Sequence, residues 1–123
     1  MTVWIANFRG HDFSPAKKWG ELKYITVGYV PKSSPDGLFF TVVKKIIETD
    51  AEDWLLPSGT IPMNVIIGAI WFFRHKKIKL LVWDRKREGG GGYKQMIFTQ
   101  EHLEHLLESL CPEATSTSQS ESQ

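Results

Sequence analysis

Asn7, Phe8, Arg9, Gly10, His11, Asp12 and Phe13 set an amide, a guanidinium, an imidazole, a carboxylate and two rings side by side in the chain. An arginine fork matches a phosphate through paired charge-assisted hydrogen bonds. Aromatic rings stack on a base, and Gly10 lets the backbone come close to a ligand. The plain alternative is an ordinary loop in which Asp12 pairs with Arg9 or His11. A second cluster, Ser58-Gly59-Thr60 with Asn64, opens a long apolar stretch of helical length. Free backbone amides at a helix start favour an anion. Pro62 removes one donor, but a first-turn donor has no helical partner in any case. The alternative is a simple cap, Ser or Thr binding its own helix. The third cluster is Trp83-Asp84-Arg85-Lys86-Arg87, with Asp84 as a hydroxyl acceptor and Arg85 as part of a phosphate clamp. Its alternative is a solvated hairpin.

Other chemistries lack their residues. The P-loop glycine pattern and its Lys-Ser/Thr pair are absent. Pro57-Ser58-Gly59 is not the G-x-S-x-G elbow of a serine hydrolase. The single cysteine, Cys111, precedes a polar tail and is a poor nucleophile; it also excludes an internal disulfide framework and a cysteine-based zinc cluster. His102 and His105 stand three apart, but no further ligands converge with them in the sequence, so no metal is expected. His75 near a helix C-terminus complements the dipole. Only His11-Asp12 stands where acid–base work is feasible, and no convergent pair of carboxylates is visible. The set suits binding a phosphorylated nucleotide rather than turning it over, with no catalytic residues and no cofactor.

The elements that must position these groups centre on Asp53–Arg85, which reads as strand, helix, strand. Trp54–Pro57 and Ile78–Trp83 are unbroken apolar runs, the pattern of strands buried on both faces. Ile61–Phe73 is the helix between them, ending at Arg74-His75-Lys76-Lys77. Strand, helix and strand form a right-handed parallel crossover. Ligands of such units sit beyond the carboxyl ends of the strands.

Thr2–Phe8 reads as the first strand, with Trp4, Ala6 and Phe8 on one face and Ile5 and Asn7 on the other. Ser14 caps a helix of one or two turns with Pro15 at its first position, and Gly20 stops it. Leu22–Val30 is a strand ended by Pro31. Ser34-Pro35 opens a helix whose Phe39/Phe40, Val43 and Ile46/Ile47 recur at helical spacing, ending near Thr49-Asp50. The Gly89–Gly92 run is a flexible connection to Tyr93–Phe98, an antiparallel partner at a sheet edge. Thr99 caps the last helix, with Leu103, Leu106, Leu107 and Leu110 as its apolar stripe. The whole is a single α/β domain over residues 1–111, a sandwich with a mixed sheet of about five strands and helices packed on it. Residues 112–123, rich in Ser, Thr, Gln and Glu, form a disordered tail.

At 123 residues a chain buries roughly two thirds of its unfolded surface and needs no staple. The net charge of +1 gives no global drive toward duplex nucleic acid or an anionic membrane. The N-terminus lacks a signal-peptide pattern. Val65–Phe73 is too short to span a bilayer. A soluble protein of a reducing cytoplasm is expected.

The stretch WIANFRGHDFSPAKKWGELKYITVGYV resembles a pattern of strand, polar loop with His-Asp-aromatic, short helix, Gly and second strand. AEDWLLPSGTIPMNVIIGAIWFFRHKKIKLLVWDRK resembles the core LL-x-SG … N … W-x-x-x-H-x-K-x-x-LL-x-[WY]D. On these stretches, within residues 3–87, the chain resembles the first type of Thoeris anti-defence protein, a family of small phage proteins. Pro57 and the glycine run depart from that pattern. The resemblance implies a homo-oligomeric, dimer-based sponge with messenger sites at subunit contacts. Such a sponge holds a cyclic ADP-ribose isomer, an immune second messenger, without cleaving it; related sponges also hold cyclic oligonucleotides. The ligand-binding residues expected here come from strand-end placement, not from the family: Asn7, Phe8, Arg9, Gly10, His11, Asp12, Ser58, Gly59, Thr60, Asn64, Asp84 and Arg85. Two rival readings stay open, a nucleotide or ADP-ribose hydrolase using His11 and Asp12, and a module whose exposed Trp and Phe meet a host protein. The tail has nothing to bury, so deleting it after Pro112 should leave the melting temperature unchanged in a thermal scan; a large drop would show that the tail packs.

Overall fold

β-rich sequence opens the fold. In a computed structural model, which describes residues 1–28, 35–85 and 91–111, β1 spans Thr2–Phe8. A short 3₁₀ helix, Ser14–Trp19, leads to β2, Glu21–Val27. Then follow α1 (Pro35–Ile46), β3 (Trp54–Leu56), α2 (Ile61–His75), β4 (Lys77–Asp84), β5 (Gly92–Thr99) and α3 (Gln100–Leu110). The sheet order is β2-β1-β3-β4-β5. β1 to β4 run parallel, and β5 returns antiparallel to β4 at the edge. The mixed five-stranded α/β sheet expected from the sequence is therefore the observed one. The Ser34 cap, the Pro31 strand end and the polar tail lie outside the described residues.

Two cores sandwich the sheet. Trp4, Ala6 and Leu55 face α1 and α2, which bury Val42, Ile46, Met63, Ile67 and Trp71 against them. Met63, Ile67 and Trp71 recur every fourth residue, so one stripe of α2 lies on the sheet. Val3, Ile5, Trp54 and Leu56 face the other way, onto Phe13 and Ala16 of the segment that leaves β1. β3 is buried throughout because both layers cover it.

This layering sets where a cleft opens. The connection out of β1 crosses one face of the sheet and α2, leaving β3, crosses the other. Neighbouring strands whose connections depart to opposite faces leave a crevice at their carboxyl ends. Here that crevice lies between Phe8 and Leu56.

A buried carboxylate ties the opposite end of the sheet. Asp53 accepts hydrogen bonds from Thr2 N (2.9 Å), Trp4 Nε1 (3.0 Å) and Asp50 N (2.9 Å). Lys79 is also buried; its ammonium donates to Glu52 O and lies over the Trp54 ring.

Three local expectations change. The Ser14 side chain makes no capping bond; Asp12 turns the chain into the 3₁₀ helix instead, its Oδ1 accepting from Ser14 N at 2.9 Å in an Asx turn. Phe8 leaves the Trp4 face at the strand end and packs on Tyr24, 4.8 Å between ring centres. The leucine stripe of α3 faces solvent, and none of the helix is buried. Thr99 does cap it, accepting from His102 N at 3.1 Å. Among the described residues no helix is long and apolar enough to cross a membrane.

At the end of α2, His75 Nε2 lies 2.7 Å from Thr49 Oγ1. The Thr49 hydroxyl donates to Ile46 O, so the ring is the donor in this pair. Burial first, and then the Arg74 charge, hold the His75 pKa below its ordinary 6.5. Unfolding releases the ring to take up a proton in the window below 6.5, so the unfolded state binds more protons there and stability falls as pH drops. The melting temperature should decline between about pH 7.5 and about pH 5.5. His75→Gln, which keeps a donor but does not titrate, should flatten that decline; an equal slope in the variant would assign it elsewhere.

Candidate functional site

The crevice opens into a cavity of about 700 Å³ lined from all three strand ends. Asn7, Arg9, His11, Asp12, Phe13 and Pro15 come from the segment leaving β1. Leu56, Pro57, Ser58 and Gly59 come from the end of β3, Leu81, Val82, Trp83 and Arg85 from β4 and its turn, and Tyr93 from β5. The volume lies within the usual range for small-molecule sites.

Side-chain hydrogen bonds hold the crevice in shape. β3 stops at Leu56, yet Ser58 continues its pairing with β1: Asn7 N donates to Ser58 Oγ at 3.0 Å, and that hydroxyl donates to Asn7 O at 2.7 Å. Ser58 is itself held by Asn64 of α2, which accepts from Ser58 N at 3.0 Å and donates to Ser58 O at 2.8 Å and Thr60 O at 2.7 Å. The Asn7 amide is turned toward β2, donating to Gly28 O and accepting from Thr26 Oγ1, both at 3.0 Å. Gly59 fills the gap between these groups with φ of +87°. A Cβ there would lie 2.9 Å from Met63 Cε and 3.2 Å from Asn7 Cβ, so no larger residue fits without a shift.

The walls are aromatic. Trp83 meets Tyr93 edge-on at 5.0 Å between centres, and His11 meets Phe13 edge-on at 4.9 Å. Tyr93 is buried, whereas Trp83 is 46% exposed and offers its ring. Gly91 approaches that indole so closely that a Cβ would stand 2.7 Å from Trp83 Cζ2. Gly91 and Gly92, expected as plain linker, therefore support Trp83 and begin β5; Gly89 and Gly90 lie outside the described residues.

Arg9 and Arg85 are exposed and form no ion pair among the described residues. Asp12 is the carboxylate of the wall. The Ser14 hydrogen bonds, from backbone and then side chain, hold its pKa below the ordinary value, with smaller help from His11 and Lys17. Burial, and then the Asp12 charge, push the Tyr93 phenol above its ordinary value. No three metal-ligating side chains converge among the described residues.

Seven of the twelve expected positions line this one cavity: Asn7, Arg9, His11, Asp12, Ser58, Gly59 and Arg85. Phe8, Gly10, Thr60 and Asp84 do not. Thr60 is the N-cap residue of α2, without a side-chain capping bond. Asn64 borders a shallower depression with Pro57, Ile61 and Val65. Asn7, Ser58 and Asn64 spend their polar atoms inside the fold and so position the site, while Arg9, His11 and Arg85 face outward. Sequence reasoning missed Leu56, Leu81 and Tyr93 as walls. The signal was the strand alternation: Leu81 and Trp83 share a face of β4, and Trp83 pairs with Tyr93 across the ladder.

A family model of phage Pam3 gp32-like proteins matches residues 5–99. No curated protein and no solved structure matches the chain.

Ser58→Ala removes both bonds that prolong the β1–β3 pairing and leaves Asn7 N without that acceptor. Urea unfolding should show a loss of about 1–3 kcal/mol. An unchanged midpoint would show that the staple contributes nothing.

Proposed function

The chain belongs to the family of phage Pam3 gp32-like proteins, and from that premise and the chemistry of the cavity we propose an anti-defence sponge that sequesters a cyclic ADP-ribose messenger, or a related cyclic nucleotide, without cleaving it. The observation that carries this reading is the pair Arg9 and Arg85. They come from the ends of two different strands, line one aromatic-walled cavity, and lack ion-pair partners among the described residues. A pyrophosphate needs two such forks, and each charged hydrogen bond contributes about 1.5–3 kcal/mol. The exposed Trp83 ring offers adenine a surface to stack on. His11 and Asp12 stand where ribose hydroxyls would meet a donor and an acceptor. The host cytoplasm, where such messengers act, is the proposed site of action.

Asp12 stands in the cavity as a hydrogen-bond acceptor. Its oxygen is taken by Ser14 N and its pKa is lowered, so it stays ionised and is unsuited to act as a general acid near neutral pH. No hydrogen bond joins it to His11 among the described residues, and the experiment below separates binding from hydrolysis.

The test is to incubate the purified protein with cyclic ADP-ribose isomers, remove free ligand, denature by heat and identify what is released by mass spectrometry. Intact messenger is the expected product; linear ADP-ribose would establish the hydrolase, and no retained nucleotide would reject both. Calorimetry should show Arg9→Ala weakening binding by about 1.5–3 kcal/mol, and unchanged affinity would remove this loop from the site.

A further inference from the structure

Two apolar surfaces have no partner among the described residues. The first is α3, where Leu103, Leu106, Leu107 and Leu110 form a stripe exposed from 36% at Leu103 to 78% at Leu110. An isolated helix of this length is marginal in water and needs a surface to pack on. The second is a groove of about 600 Å³ between α1 and α2, lined by Val43, Ile46, Ile47, Ile70, Phe73 and Arg74. Phe73 is 78% exposed at its rim.

The two surfaces match in character, an apolar stripe against an apolar groove, and in charge. Leucines at i, i+3, i+4 and i+7 are the anchors that a helix lays into a hydrophobic groove. α3 carries Glu101, Glu104 and Glu108 and no lysine or arginine. The groove helices end in Lys44, Lys45 and Arg74. Opposite charges at the rim favour this docking and disfavour packing one α3 on another.

Within the described residues the two do not meet. α3 starts beside the end of α2, Gln100 N donating to Lys76 O at 2.9 Å, but its leucine stripe stays exposed and makes no contact with the groove. Nor can the C-terminal segment fill the groove, since PEATSTSQSESQ holds no large apolar side chain. The same helix of another copy carries the apolar stripe and the acidic charge that the groove calls for.

We propose that two copies of this chain exchange α3, each seating its Leu103–Leu110 stripe in the α1–α2 groove of the other. The contact is reciprocal and closes on itself, as a two-fold dimer requires. It involves the helical layer and leaves the strand-end cavity open, so it stands independently of the nucleotide reading.

Light scattering tests it. The wild-type protein should run at twice the 14.1 kDa chain mass. Leu106→Glu on the helix and Phe73→Glu in the groove replace exposed residues, so folding, checked by circular dichroism, should persist. Each variant should raise the dimer dissociation constant at least ~tenfold, because a carboxylate would be buried in an apolar contact. Mixing the two variants should restore dimer in part, since one undamaged helix then meets one undamaged groove. A monomeric wild type, a mixture that stays monomeric, or a dimer that survives Phe73→Glu would each overturn the exchange; a dimer lost in Leu106→Glu but kept in Phe73→Glu would point to α3 packing on α3.

Discussion

The exchange of two hydrogen bonds between the Ser58 side chain and the Asn7 backbone is the constraint on which the rest depends. β3 is three residues long and ends at Leu56. Beyond it the chain must turn into α2 while β1 turns to the opposite face. Ser58 keeps the two departing segments in register for one more step, and Asn64 locks Ser58 to the first turn of α2. The crevice is therefore held by side chains rather than by the ladder. This explains why its polar groups divide into two kinds. Amides and hydroxyls are spent on the scaffold, while guanidinium groups and rings remain for a ligand.

Much of this was legible in the chain. Trp54-Leu55-Leu56 and Ile78–Trp83 announce buried strands because both faces are covered, and Ile61–His75 announces its helix by length and apolar spacing. From that one crossover the convergence of Arg9, Ser58 and Arg85 follows. Less legible was the role of each polar residue. Asn64 reads as a helix-start amide, and only its geometry shows all three of its bonds going to Ser58 and Thr60. Ser14 before Pro15 reads as a cap, but its side chain makes no capping bond, and Asp12 instead accepts from the Ser14 amide two residues on. The sequence also carries no sign of which sheet face each connection crosses, and that choice decides where the cavity opens. The leucine stripe of α3 was visible as a stripe; its exposure depends on what the rest of the chain leaves uncovered.

The cavity and the apolar helical surfaces are separated by the sheet layers. Leu56, Leu81 and Tyr93 floor the cavity from the face that carries the 3₁₀ helix. α1 and α2 cover the other face, with the groove on their outer side. Self-association through the helices and ligand capture at the strand ends therefore need not compete. Trp4, Trp54 and Trp71 are buried and Trp19 is partly buried, so Trp83 is the most exposed indole, and it belongs to the cavity.

Nuclear magnetic resonance of labelled protein during titration with cyclic ADP-ribose addresses the central claim most directly. Trp83 Nε1–H and the Nε–H groups of Arg9 and Arg85 should shift together and saturate together. Trp71 Nε1–H, sealed in the core beneath α2, should stay still. If the cavity resonances do not move at about millimolar ligand, or if the changes gather instead around Ile47 and Phe73, the crevice between β1 and β3 is not a nucleotide site.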